Sequence, residues 1–224
     1  MASTDSREGR STDTDVGKPN IAKDIGLLSL FLAPAYLNDF LLIYATSRKE
    51  VLLIDYASKA LPLLILAFVP SLWSAVRVAV GTRPDWRWTA VFVPICMISV
   101  PVLHILELAL WRILPNIQLF SFPSFKGPEW YWFDLIFGLT LNSVSEELVD
   151  RGIVAAILLR HGLGAGIVIL VSALLFGSAH WSKGLPNIVV AVLYGILFMT
   201  MYLKTRSIWP GVAVHTVDNV IVFA

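Results

Sequence analysis

With a single cysteine, Cys96, in 224 residues, no intrachain disulfide can staple this chain, and its redox compartment is left open. Charge is scarce too. Asp, Glu, Lys and Arg make up 15% of the sequence, against about 25% in an ordinary soluble domain. The formal net charge is +1 and no basic run occurs, so nothing points to nucleic-acid binding. His-Glu-x-x-His is absent, which excludes a zincin-type helix. No Gly-x-Ser-x-Gly elbow, Walker loop or Rossmann glycine pattern is present. Neither an internal repeat nor a low-complexity tract is visible, and the lack of inverted repeats weighs against a transporter.

What is abundant is apolar. Hydrophobic residues make up 57% of the chain, and the mean hydropathy is +0.74. They fall in long runs between short polar separators, the pattern of a multi-pass helical membrane protein. The expected fold is an all-α polytopic bundle of six to seven transmembrane helices embedded in a lipid bilayer. The runs cover 26–46, 57–79, 89–113, 133–160, 163–181, 187–204 and 208–224. Residues 1–25, rich in Ser, Thr, Asp and Gly, read as a disordered polar tail without the apolar core of a signal peptide. Residues 26–224 form the membrane domain, with its polar motifs confined to 133–224. The fourth run measures roughly 45 Å as one helix, longer than a hydrocarbon core of about 30 Å, so it tilts, kinks or overshoots.

Loop charge predicts an orientation. A cytoplasmic N-terminus puts Arg7, Arg10, Lys18, Lys23, Arg77, Arg83, Arg87, Arg160, Lys204 and Arg206 inside. Arg48, Lys49, Arg112, Lys126 and Lys183 then lie outside, and the excess of inner cations favours this topology. Trp130, Tyr131, Trp132, Trp181 and Trp209 suit the membrane interfaces.

The fourth run carries Ser145-Glu146-Glu147-Leu148-Val149-Asp150-Arg151, four ionisable side chains in an apolar setting. Such residues face a protein interior or a wet cavity, because lipid does not tolerate them. Glu147 and Arg151 are four apart with the acid first, the favourable order for a helical ion pair. The plain role for Glu147 is to neutralise Arg151. Glu146 points about 100° away and has no evident cation, which makes it the better general base. Asp150 is its like-charged neighbour one turn on.

Two later runs carry one histidine each. His180 ends an apolar run one turn after Phe176, and His215 lies within the last run with Asn219 one turn later. A packing or interfacial role is the bland reading of either histidine. With Glu146 they have the chemistry to hold a divalent metal such as zinc, or to orient one water for attack without a metal. Asn219 has the N–H to donate to an oxyanion. The run boundaries set His180 nearer the outer membrane face than His215, which puts the two at different depths.

Other polar residues read as structural. His104 and Glu107, three apart, are expected to pair. His161 follows Arg160 at a helix end before Gly162. Asp39 and Lys59 are placed to pair, and Asp218 reads as a second acid of the site or a partner of Lys59. Gly177-Ser178 reads as a helix-packing contact rather than a nucleophile.

The trio Glu146-Glu147-x-x-x-Arg151, Phe176-x-x-x-His180 and His215-x-x-x-Asn219 resembles the CAAX protease and bacteriocin-processing (CPBP, Abi) family of intramembrane endopeptidases. That family includes the prenyl protein proteases. The resemblance covers about 133–224 and implies hydrolysis of a peptide bond in a membrane-associated or prenylated (CAAX-type) substrate. It implies Glu146 and His180 as activators of water. It also implies His215 and Asn219 as the oxyanion pocket, with Glu147 and Arg151 as the helix clasp. Asp150 departs from the pattern, which often has a bulky apolar residue before the arginine. Two other classes fit the residues: a catalytically silent scaffold or immunity protein of the same fold, and an ion or metal transporter using Glu146, His180 and His215 as a relay.

Overall fold

The computed structural model describes residues 19–115, 117–121 and 130–223, and every regular element among them is helical. Eight helices follow in order: α1 (Ile21–Leu42), α2 (Arg48–Ala67), α3 (Trp73–Gly81), α4 (Trp86–Ile113), α5 (131–160), α6 (Ala165–Ser178), α7 (Leu185–Thr205) and α8 (Trp209–Phe223). Most of the polar tail, 1–18, and Lys126 lie outside the described residues.

The chain enters α1 at Ile21, ahead of the run expected from 26. Asn20 Oδ1 caps the helix by accepting the Lys23 N–H at 3.0 Å. The early start carries Asp24 inward, where its carboxylate meets Arg160 and, at 2.7 Å, His161 at the end of α5. Hydropathy did not mark this turn because its value lies in an ion pair.

The second run is not one span. It divides into α2, a 3-10 turn at Pro70–Leu72, and α3. Pro70 has no N–H and pushes Val69 out of helical geometry, to φ −119° and ψ 74°. At its other end α2 reaches back to Arg48. Ser47 Oγ accepts the Glu50 N–H at 3.2 Å, and Glu50 answers by accepting the Thr46 N–H at 2.7 Å. This extra length adds Asp55 to a helix whose mid-portion carries Lys59.

Helix α5 runs unbroken over the expected fourth span. It has two π-helical segments, Asp134–Gly138 and Glu147–Ile153, the second holding Glu147, Asp150 and Arg151. Wider π turns inside a helix occur often at functional sites. The helix ends at Gly162, whose φ of 73° is the left-handed conformation open to glycine.

Ala165–Ser178 and Leu185–Thr205 form the tightest hairpin. A Cβ on Gly195 would lie 2.7 Å from Ala173 Cα, and one on Gly177 would press on Val192 and on the Ile188 carbonyl. Small residues let these backbones touch, as they do between membrane helices. Leu27 and Phe31 of α1, Val149 and Ile153 of α5, and Met199 of α7 meet in the principal buried cluster.

The outer faces are apolar: Phe68 is 84% exposed and Ile98 67%. Three helices, α1, α4 and α7, are long and apolar enough to cross a membrane on composition alone. The others are short or lose hydropathy to the site charges they carry. The chain is an integral membrane protein of all-α architecture. Replacing Gly195 by Ala should destabilise it by about 1–3 kcal/mol, since the added methyl meets backbone that cannot yield cheaply. Chemical unfolding in detergent measures this, and an unchanged midpoint would remove the α6–α7 contact from the account.

Candidate functional site

Arg151 is completely buried. Its Nε lies 3.4 Å from Glu147 Oε2, the pair foreseen from their spacing. Its guanidinium carbon sits 4.3 Å from the Phe176 ring centroid and 5.3 Å from that of Phe198. Two aromatic faces, the Glu147 carboxylate and, at 4.0 Å, that of Asp150 surround the charge, and among the described residues no hydrogen bond reaches its nitrogens. Glu147 is tied at its other oxygen too, with Oε1 3.1 Å from His215 Nδ1. Gly211 of α8 makes room for this carboxylate, since a Cβ there would stand 2.6 Å from Glu147 Oε2.

His215 links the two glutamates. Its Nε2 is 3.6 Å from Glu146 Oε2, while Nδ1 serves Glu147. Glu146 is not an unbalanced carboxylate, as sequence spacing had suggested. Lys59 of α2 donates to its Oε1 at 2.8 Å. The cation comes from 87 positions away in the chain, beyond any local pattern. Lys59 therefore pairs with neither Asp39 nor Asp218. Asp39 accepts from Ser182 Oγ at 2.6 Å, and Asp218 accepts from the Tyr194 hydroxyl at 3.3 Å.

His180 lies just past the end of α6, half-buried. Its Nδ1–H donates to the Phe176 carbonyl at 2.9 Å, which leaves Nε2 as the acceptor nitrogen. The Phe176 ring contacts both imidazoles, with centroids 4.9 Å from His180 and 6.2 Å from His215. Asn219 Nδ2 donates to Ser143 Oγ at 3.3 Å, and its second N–H remains for another acceptor.

Glu146, His180, His215 and Asn219 all line one cavity of about 440 Å³ between α1, α2, α5 and α8. A second cavity of about 830 Å³, walled by α4 and α7, meets it along Phe176, His180, His215 and Asn219. The structure thus brings the sequence-derived residues together, with Glu147 and Arg151 directly behind them. Sequence reasoning missed Lys59, Phe198 and Ser143 as members of the site. A lysine inside an apolar run does demand a carboxylate partner. With Asp39, Asp55, Glu146, Asp150 and Asp218 all available, sequence had no means to choose.

The expected His104–Glu107 pair does not form. Glu107 accepts from Asn187 at 3.1 Å and from Trp111 at 3.4 Å. A zinc or other divalent ion on Glu146, His180 and His215 fits poorly. Among the described residues no three His, Cys, Asp or Glu side chains gather closely enough to ligate one ion. Lys59 already holds Glu146 Oε1 at 2.8 Å.

Substituting Arg151 by Met should cost about 3–5 kcal/mol, because Glu147 is then left buried without its cation. Combining it with Glu147→Gln should recover part of that loss. Unfolding in detergent measures both variants, and additive losses would show that the two side chains are not coupled.

No curated protein and no solved structure matches this chain. Residues 128–221 match the family model described as type II CAAX prenyl endopeptidase, Rce1-like. That segment holds all six residues of the motif trio: Glu146, His180, His215 and Asn219, which line the cavity, and Glu147 and Arg151 behind them. The likeness to the Rce1-like type II CAAX prenyl endopeptidases thus spans residues 128–221, less than half of the chain.

Proposed function

We propose that this protein hydrolyses a peptide bond of a membrane-associated or prenylated peptide, with a water activated by Glu146 and His180. The supporting observation is the convergence of Glu146 from α5, His215 and Asn219 from α8, and His180 from the turn after α6 on one cavity. Glu146 Oε2 and His180 Nε2 are the proton acceptors that face the reacting water. Lys59 holds the other Glu146 oxygen and so fixes the carboxylate plane. The water oxygen adds to the carbonyl carbon as its proton passes to the acceptor pair. The C–N bond then breaks, and that proton goes to the leaving nitrogen.

Negative charge develops on the carbonyl oxygen during this attack. Asn219 offers its second N–H, while Ser143 holds the first. His215 donates through Nε2 when its Nδ1–H is on Glu147, so it acts there as an imidazolium between two carboxylates. Preorganised donors of this kind are often the largest catalytic contribution. Glu147 and Arg151 touch no substrate in this scheme. They act by holding His215.

Glu146→Gln and His180→Ala should each lower cleavage of a lipid-anchored peptide in proteoliposomes by about 10²–10⁴-fold, the usual worth of a general base. Wild-type turnover by either variant would overturn the assignment. A chelator should leave wild-type cleavage unchanged, since no step here runs through a metal. Loss of activity in chelator, restored by added zinc, would contradict that mechanism.

A further inference from the structure

The cavity that holds the catalytic group is acidic. Asp39, Asp55, Asp134, Glu146 and Asp150 line it, against the cations Lys59 and Lys183. Three of the five acids have protein donors. Asp39 takes Ser182, Asp134 takes the Tyr56 hydroxyl at 2.6 Å, and Glu146 takes Lys59.

Asp150 is different. Its side chain is 91% buried by its 9% relative exposure, and what remains open faces the cavity. Among the described residues no hydrogen bond reaches its carboxylate. Its nearest cation is Arg151, at 4.0 Å and held on its far side by Glu147, Phe176 and Phe198. Leaving a buried carboxylate without donors is costly, so a group that supplies them gains that interaction on binding. Asp55 lines the same cavity from α2, and no hydrogen bond to its carboxylate is found among the described residues. Lys59 lies close enough to both acids to act on their charge, and a cation entering this space would add the hydrogen-bond donors that neither carboxylate has among the described residues.

We propose that Asp150, with Asp55 of α2 lining the same cavity, selects substrates that carry a lysine or arginine near the scissile bond. A guanidinium or ammonium seated there makes charge-assisted hydrogen bonds within the acidic half of the cavity, while the peptide carbonyl faces His215 and Asn219. Electrostatic preference of this kind acts on which peptide enters, not on how water attacks. The proposal rests on the peptidase reading for its biological meaning, yet it concerns binding and is testable without turnover.

The test compares three lipid-anchored peptides that differ only at one position, Lys, Gln or Glu, scanned along the segment bound in the cavity. Affinity is measured in nanodiscs with Glu146→Gln protein, with and without Asp150→Asn. Cleavage is measured with wild type and Asp150→Asn. The Lys peptide should bind Glu146→Gln about tenfold tighter than the Gln peptide, and the Glu peptide weakest, the scale of one charge-assisted hydrogen bond. Asp150→Asn should erase the Lys preference in both assays while sparing cleavage of the Gln peptide. A preference that survives Asp150→Asn and Asp55→Asn alike, or the absence of any preference in binding, overturns the proposal. Lysine-selective binding lost in Asp150→Asn, without cleavage of any peptide by wild type, supports the proposal and sinks the peptidase reading alone. Unfolding of Asp150→Asn in detergent at the wild-type midpoint guards against a folding defect, and Asp55→Asn provides the second variant should it fail to fold.

Discussion

The guanidinium of Arg151 is fully buried and, among the described residues, none of its nitrogens has a hydrogen-bond partner, so its charge must be met by placement. Glu147 meets it along the helix, and the rings of Phe176 and Phe198 close over it from α6 and α7. An unpaired ion here would cost several kcal/mol, which makes this arrangement a condition on the fold rather than an ornament. Because Phe176 sits one turn before His180, the same contact fixes where the first imidazole stands. Because Glu147 reaches His215, it fixes the second. Four helices are thereby set in register by one buried cation.

Around that clasp, polar groups occur where a neighbour can satisfy them. Lys59 comes from α2 to Glu146, Ser143 turns to Asn219, and Ser182 turns to Asp39. Asp24, Arg160 and His161 repeat the device at the opposite end of α5. Glycines do complementary work: Gly195 lets α7 lie on α6, and Gly211 lets α8 lie on the Glu147 carboxylate. The outer surface is left apolar, as a bilayer requires.

The cavity joins two kinds of chemistry. Glu146 and the two imidazoles carry groups suited to moving a proton, and Asp39, Asp55, Asp134 and Asp150 line the same cavity.

Much of this was legible in the chain itself. Long apolar runs determined an all-α membrane fold, because lipid leaves backbone polar groups no partner outside their own helix. The Glu147–Arg151 pair was legible because helical neighbours four apart must meet. The motif trio likewise singled out Glu146, His180, His215 and Asn219. Tertiary structure alone decided that Lys59 balances Glu146, that Pro70 splits the second run, that Asp24 belongs to a helix, and that Phe176 contacts both imidazoles. Each of these depends on partners distant in sequence or on the loss of one local hydrogen bond. Hydropathy averages over just such details, whereas an ion pair or a ring contact is settled by which helix packs against which.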